Sequence, residues 1–120
     1  MAYKQPEVLA TALQGLPERI IFCGHSHVYH SILLPDGRMA VNPGSVGLPA
    51  YDEEHPYPHV MESGTPLASY CLCLREQGTD RWRVQHQLVE YDWEQAAAMA
   101  ERMERSDYSV AIRTGKMNRR

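Results

Sequence analysis

Arg19-Ile20-Ile21-Phe22-Cys23-Gly24-His25-Ser26-His27 and, one hairpin later, Asn42-Pro43-Gly44-Ser45-Val46-Gly47 are the stretches from which the fold of this chain is read. Residues 19–23 form a compact apolar run closed by a glycine, the pattern of a strand buried on both faces. Gly24 lets the backbone turn sharply there, and histidines at i and i+2 can then point into one cleft. Neutral imidazole is the commonest metal ligand, so His25 and His27 read either as a ligand pair in need of partners or as plain polar loop histidines. Gly24 belongs to the cleft support, as do Asn42, Pro43, Gly44 and Ser45, whose types suit a tight loop that brings backbone N–H groups to a ligand or braces a neighbouring loop.

Working outward, residues 29–34 and 38–41 are strand candidates joined by Pro35-Asp36-Gly37, a turn tripeptide, and predict a β-hairpin. Upstream, apolar positions at Val8, Leu9, Ala12, Leu13 and Leu16 predict a helix over 6–16, opened by Pro6 and stopped by Gly15. Downstream, residues 48–67 hold Pro49, Pro56, Pro58 and Pro66 and read as a long irregular loop. Residues 68–75 and 81–91 predict two further strands, the second placing Trp82, Val84, His86 and Leu88 on one side. Asp92 followed by Gln95 has the form of a capping box, and Ala96, Met99, Ala100 and Met103 form the apolar stripe of the helix behind it. Residues 111–120, with Arg113, Lys116, Arg119 and Arg120 and no acid, read as a solvated basic tail.

The chain has 120 residues, 43% hydrophobic and 22% charged, with a formal net charge of -3. That is enough for one globular domain of mixed α/β (α+β) class, mainly β-hairpins with a helix at each end. Near-neutral charge argues against a nucleic-acid partner, and the lack of a long apolar run argues against a membrane partner. With no apolar leader at its start, the chain is expected in the cytoplasm. Cys23, Cys71 and Cys73 lie in apolar stretches without C-x-x-C spacing and read as reduced, buried thiols rather than a metal set. His55 and His59, set among acids and prolines, read as solvated loop residues ahead of a secondary metal cluster. His30 reads as a strand residue and His86 as a hydrogen-bonded core or interface histidine.

G-H-x-H closing a strand, then a hairpin, then N-P-G-S-V-G, all within residues 24–47, resembles the C-terminal half of the calcineurin-like metallophosphoesterases, in particular the small bacterial YfcE-like branch. The likeness runs on through Leu48-Pro49-Ala50-Tyr51, Ala68-Ser69-Tyr70 and Glu90-Tyr91-Asp92, and so spans residues 20–115. It implies a four-layer α/β/β/α sandwich with two divalent ions at the strand ends, His25 on one and His27 on the other. It further implies manganese, with zinc, iron or nickel as alternatives, and hydrolysis of a phosphodiester or phosphomonoester substrate. Two-metal hydrolysis of this kind needs ions about 3.5–4 Å apart. The family also carries D-x-H, G-D and G-N-H-(D/E) ahead of G-H-x-H, whereas the 24 residues before His25 contain no aspartate, asparagine or histidine. Only part of the ligand set is therefore expected in these residues, and little hydrolysis from them alone. A homo-oligomer or a complementary N-terminal fragment is the expected partner. Two other outcomes remain open: a non-catalytic assembly module, and one zinc held by His25 and His27 of two protomers.

Overall fold

The structure is a computed structural model and describes residues 5–117. In chain order the elements are α1 (Pro6–Ala12), β1 (Ile20–Phe22), β2 (His30–Leu33), β3 (Met39–Asn42), β4 (Ala50–Glu53), β5 (His59–Glu62), β6 (Ala68–Arg75), β7 (Trp82–Val89), α2 (Trp93–Arg102) and α3 (Ser106–Thr114). The class is α+β. The strands form a three-stranded sheet of order β1-β3-β2 and two separate ribbons, β4-β5 and β6-β7.

The expected hairpin is β2-β3, antiparallel with His30 opposite Asn42 and Leu33 opposite Met39. Its turn works as the tripeptide predicts. Gly37 takes φ 88°, and the Asp36 carboxylate accepts the Arg38 N–H at 3.1 Å. Arg38 then does something no local pattern announces. Its buried guanidinium donates to the carbonyls of Leu13 (2.7 Å) and Ala10 (3.3 Å) at the C-terminal end of α1. Its Nε donates to Asp36 at 2.7 Å, which holds the Asp36 carboxyl below the usual carboxylate range.

Several expectations are corrected. α1 spans Pro6–Ala12 and buries no residue; the chain leaves the helix at Leu13, whose N–H still bonds to Leu9. β1 is not buried on both faces. It lies parallel to β3 at the edge of its sheet, and Phe22 is 56% exposed because nothing in the described residues covers it. Cys23 is exposed, and Cys71 and Cys73 are half-buried, all three unpaired. Partial burial raises all three thiols above their ordinary value.

Residues 48–67 are not irregular. They contain the antiparallel β4-β5 ribbon, with Tyr51 opposite Met61 and Glu53 opposite His59. Pro56 and Pro58 both fall in its connection, where no ladder N–H is needed, and the His55–Pro56 peptide is cis. Nor is 111–120 a solvated tail over its described part. Ala111 and Ile112 are buried on α3; Arg119 and Arg120 lie outside the described residues. Gly115 caps α3 at φ 68°, and a Cβ there would stand 2.2 Å from the Thr65 nitrogen. Only glycine fits this contact, which also joins Gly64 N–H to the Gly115 carbonyl at 2.8 Å.

α2 begins as expected, with the Asp92 carboxylate accepting the Gln95 N–H at 3.1 Å. Arg113 ties α3 to α2 through Glu94 (3.0 Å) and Glu101. The core is small: Leu34, Ala40 and Val41 under the first sheet, and Ala50, Tyr51, Met61, Ala97, Ala111 and Ile112 between the β4-β5 ribbon and the helices. Among the described residues, no helix is long and apolar enough to cross a membrane.

Candidate metal centre

The residues after β1 are held by the loop after β3. Ser26 is buried, and its Oγ accepts a 2.8 Å hydrogen bond from Asn42 Nδ2. The same Nδ2 reaches the Gly24 carbonyl at 3.4 Å, while Asn42 Oδ1 accepts the Gly44 N–H at 3.0 Å. One asparagine thus bonds to both motif loops. Ser45 Oγ accepts the Leu48 N–H at 2.9 Å, turning the chain so that the Leu48 carbonyl meets His27 Nδ1 at 2.8 Å. A carbonyl only accepts, so Nδ1 carries the proton and His27 Nε2 presents its lone pair.

Gly44 has φ 87° and no room for a side chain, because a Cβ would lie 2.5 Å from Ser69 Oγ. That hydroxyl donates to the Pro43 carbonyl at 2.8 Å, and the Ser69 N–H bonds to the Ser45 carbonyl at 2.9 Å. β6 therefore clamps the Asn-Pro-Gly-Ser loop from behind. His86 Nε2 lies 2.6 Å from Ser69 Oγ, and its ring stacks on Tyr29 at 4.0 Å. His86 is hydrogen-bonded, although exposed rather than in a core.

The sharp turn does not use Gly24. His25 and His27 themselves take positive φ, 88° and 62°, and Gly24 does not. Tyr51, buried on β4, secures this backbone by donating its hydroxyl to the His25 carbonyl at 2.7 Å, and its ring lies 4.8 Å from that of His27. Burial first, and then the charge of Glu53, push the Tyr51 phenol upward, so it stays protonated as a donor.

His25 and His27 line one cleft of about 230 Å³ with Tyr51, Glu53, Arg105 and Asp107. Arg105 is held by Asp107 through two bonds of 3.0 and 2.9 Å and lies 3.6 Å above the Tyr108 ring. Asp107 is lowered chiefly by that guanidinium.

Among the described residues, the metal-ligating atoms that gather in a group of three include those of His25 but not of His27. They belong to His25, Glu53 and His59, all within 4.8 Å of one another. His59, expected in a solvated loop, is a buried residue of β5, directly opposite Glu53 in the ladder. The expectation failed because the prolines sit in the turn and leave the two flanking strands free to pair. His55 stays exposed in that turn, and the cysteines join no such cluster among the described residues. Two short stretches, 50–53 and 59–62, placed evenly about a proline-rich turn, were the signal that could have paired Glu53 with His59. No family model, curated protein or solved structure matches the chain.

Proposed function

We propose that this chain is the C-terminal half of a metal-dependent phosphoesterase of the calcineurin-like kind, contributing His25 and His27 to a binuclear site in a four-layer sandwich that a complementary segment completes. The observation that supports this most is the single cleft onto which both histidines open, with the Asn42 latch behind them. The donor set fits divalent cations, since His27 is already held in the tautomer that leaves Nε2 unprotonated. Bound ions of the manganese class would supply charge stabilisation to a phosphoryl group and activate water. The chain's own residues orient the two rings, exclude solvent from the Ser26 side, and place the Arg105 guanidinium at the cleft wall.

Two histidines divided between two ions give each a single protein ligand, against the three usual for a catalytic site. The 120-residue chain alone should therefore show little hydrolysis of p-nitrophenyl phosphate or its bis-ester with Mn²⁺. A version extended through an upstream D-x-H segment, or mixed with such a fragment, should turn over these esters. It should lose about 100-fold or more in His25→Ala and in His27→Ala, as for loss of a group acting in the transition state. High turnover by the chain alone would contradict the incomplete site, and a complemented enzyme indifferent to both substitutions would end the proposal.

A second reading, assembly without catalysis, is favoured by the β6-β7 ribbon. Tyr70, Leu72, Leu74 and Val89 share one face of it and are each at least 36% exposed, a long apolar surface for a monomer to leave wet. It predicts a stable oligomer without stoichiometric metal.

A further inference from the structure

We infer that His25, Glu53 and His59 form a mononuclear site for a zinc-class divalent cation within this chain. The inference goes beyond the phosphoester proposal and shares only His25 with it.

His59 carries it. The residue is 9% exposed, and its Nδ1 lies 2.8 Å from the Tyr57 carbonyl. That acceptor fixes the proton on Nδ1 and leaves Nε2 as a lone pair. Nε2 is buried and has no hydrogen-bond partner. Glu53 Oε2 stands 3.9 Å from it, too far for a hydrogen bond. A buried acceptor without a partner needs a reason, and a cation between it and a carboxylate supplies one. A backbone carbonyl behind a histidine ring is also the usual orienting partner of a metal-bound imidazole.

The other two donors converge on the same point. Glu53 faces His59 across the ladder, so their side chains share one side of the ribbon, as Tyr51 does two residues earlier. Tyr51 in turn binds the His25 carbonyl and so brings that ring to the same side. Ligands 2.0–2.2 Å from a tetrahedral ion stand about 3.4 Å apart, against 3.9 Å for His59 and Glu53 and at most 4.8 Å within the trio. The difference is about 1 Å or less for the pair and somewhat more for the trio, within reach of side-chain rotation. Glu53 and His25 are both exposed and free to turn, while His59 is the fixed anchor.

Two imidazoles and one carboxylate suit zinc and cobalt rather than calcium or magnesium, which take oxygen ligands. Three protein donors leave a fourth position for water or a ligand, and the cleft lined by His25 and Glu53 gives access to it.

The test is titration of the chelator-stripped full chain with Co²⁺ and Zn²⁺, read by calorimetry and by the visible bands of four-coordinate cobalt. One ion per chain is expected. Glu53→Gln, His25→Ala and His59→Asn should each weaken binding by about 100-fold or more, beyond what loss of an outer partner costs. His27→Ala should bind as the parent does. Because His59 is buried, circular dichroism should accompany His59→Asn, and if that variant unfolds, the exposed Glu53→Gln decides. Parent-like binding by Glu53→Gln, or no four-coordinate spectrum, overturns the site. Loss of metal in His27→Ala with retention in Glu53→Gln overturns it too, while leaving the phosphoester proposal standing. The reverse pattern, with an inert complemented chain, sinks that proposal and keeps this site.

Discussion

His25 and His27 occupy the left-handed region of backbone space, which β-carbons crowd and which glycine enters freely. At φ 88°, His25 is further from the comfortable value than His27 at 62°. Such a residue costs about 1–3 kcal/mol and persists only where its surroundings hold it. The Tyr51 hydroxyl on the His25 carbonyl is that hold. Replacing His25 by glycine should therefore stabilise the metal-free chain by about 1 kcal/mol, seen as a higher denaturation midpoint, while abolishing cobalt binding. A loss of stability in that variant would mean that the turn is relaxed and the histidines are not held against a backbone preference.

At the scale of elements, the α2-α3 pair is fastened by Arg113 to Glu94 and Glu101. The Glu101 carboxyl lies below its ordinary 4.5, first because of the Arg113 bond and then that of Ser109. A carboxylate lowered in the fold contributes stability above its unfolded value and loses it as pH falls through the folded value. The melting temperature should thus fall as the pH drops below about 4.5, the ordinary value of that group. Arg113→Met should flatten that limb; because the pair is exposed, the change should be small. Equal slopes in the two proteins would exclude Arg113 as the cause.

Elements with local signals were legible from the residues. Pro35-Asp36-Gly37 predicts its hairpin, the alternation of 82–88 its strand, and Asp92 with Gln95 the start of α2. The β4-β5 ribbon was not, because counting prolines hides where they fall, and both inner ones sit where the chain reverses. α3 was missed because its apolar residues are few and its arginine looks solvated until Glu94 and Glu101 arrive from another helix. The same holds for the site. His25 and His27 announce themselves by spacing, but Glu53 meets His59 only through strand register, and His25 joins them only through Tyr51.

At the scale of the whole molecule, the surface is too large for the mass. A 13.7 kDa monomer is expected to expose about 6,600 Å². The chain exposes 8165 Å², and its radius of gyration is 16.6 Å where about 14 Å is usual. The excess, about 1,600 Å², is about twice the roughly 800 Å² that each partner buries in a standard protein interface. Exposed apolar side chains of the β6-β7 ribbon, and Phe22 at the open edge of the first sheet, are part of that surface. Light scattering should therefore find the purified chain as a dimer or larger, and Leu74→Lys or Phe22→Asp should shift it toward monomer. A monodisperse monomer at high concentration would show that these faces stay wet.

Gly44 and Ser69 are 25 residues apart in the chain and share one small volume. Inheritance must treat them as a pair. A methyl group at 44 collides with the serine, and shrinking the serine to make room forfeits the hydroxyl that holds the Pro43 carbonyl. Neither position can drift first without loss. Because φ 87° strains any side chain at 44 even with the serine gone, descent should keep the glycine and, with it, the serine that closes over it.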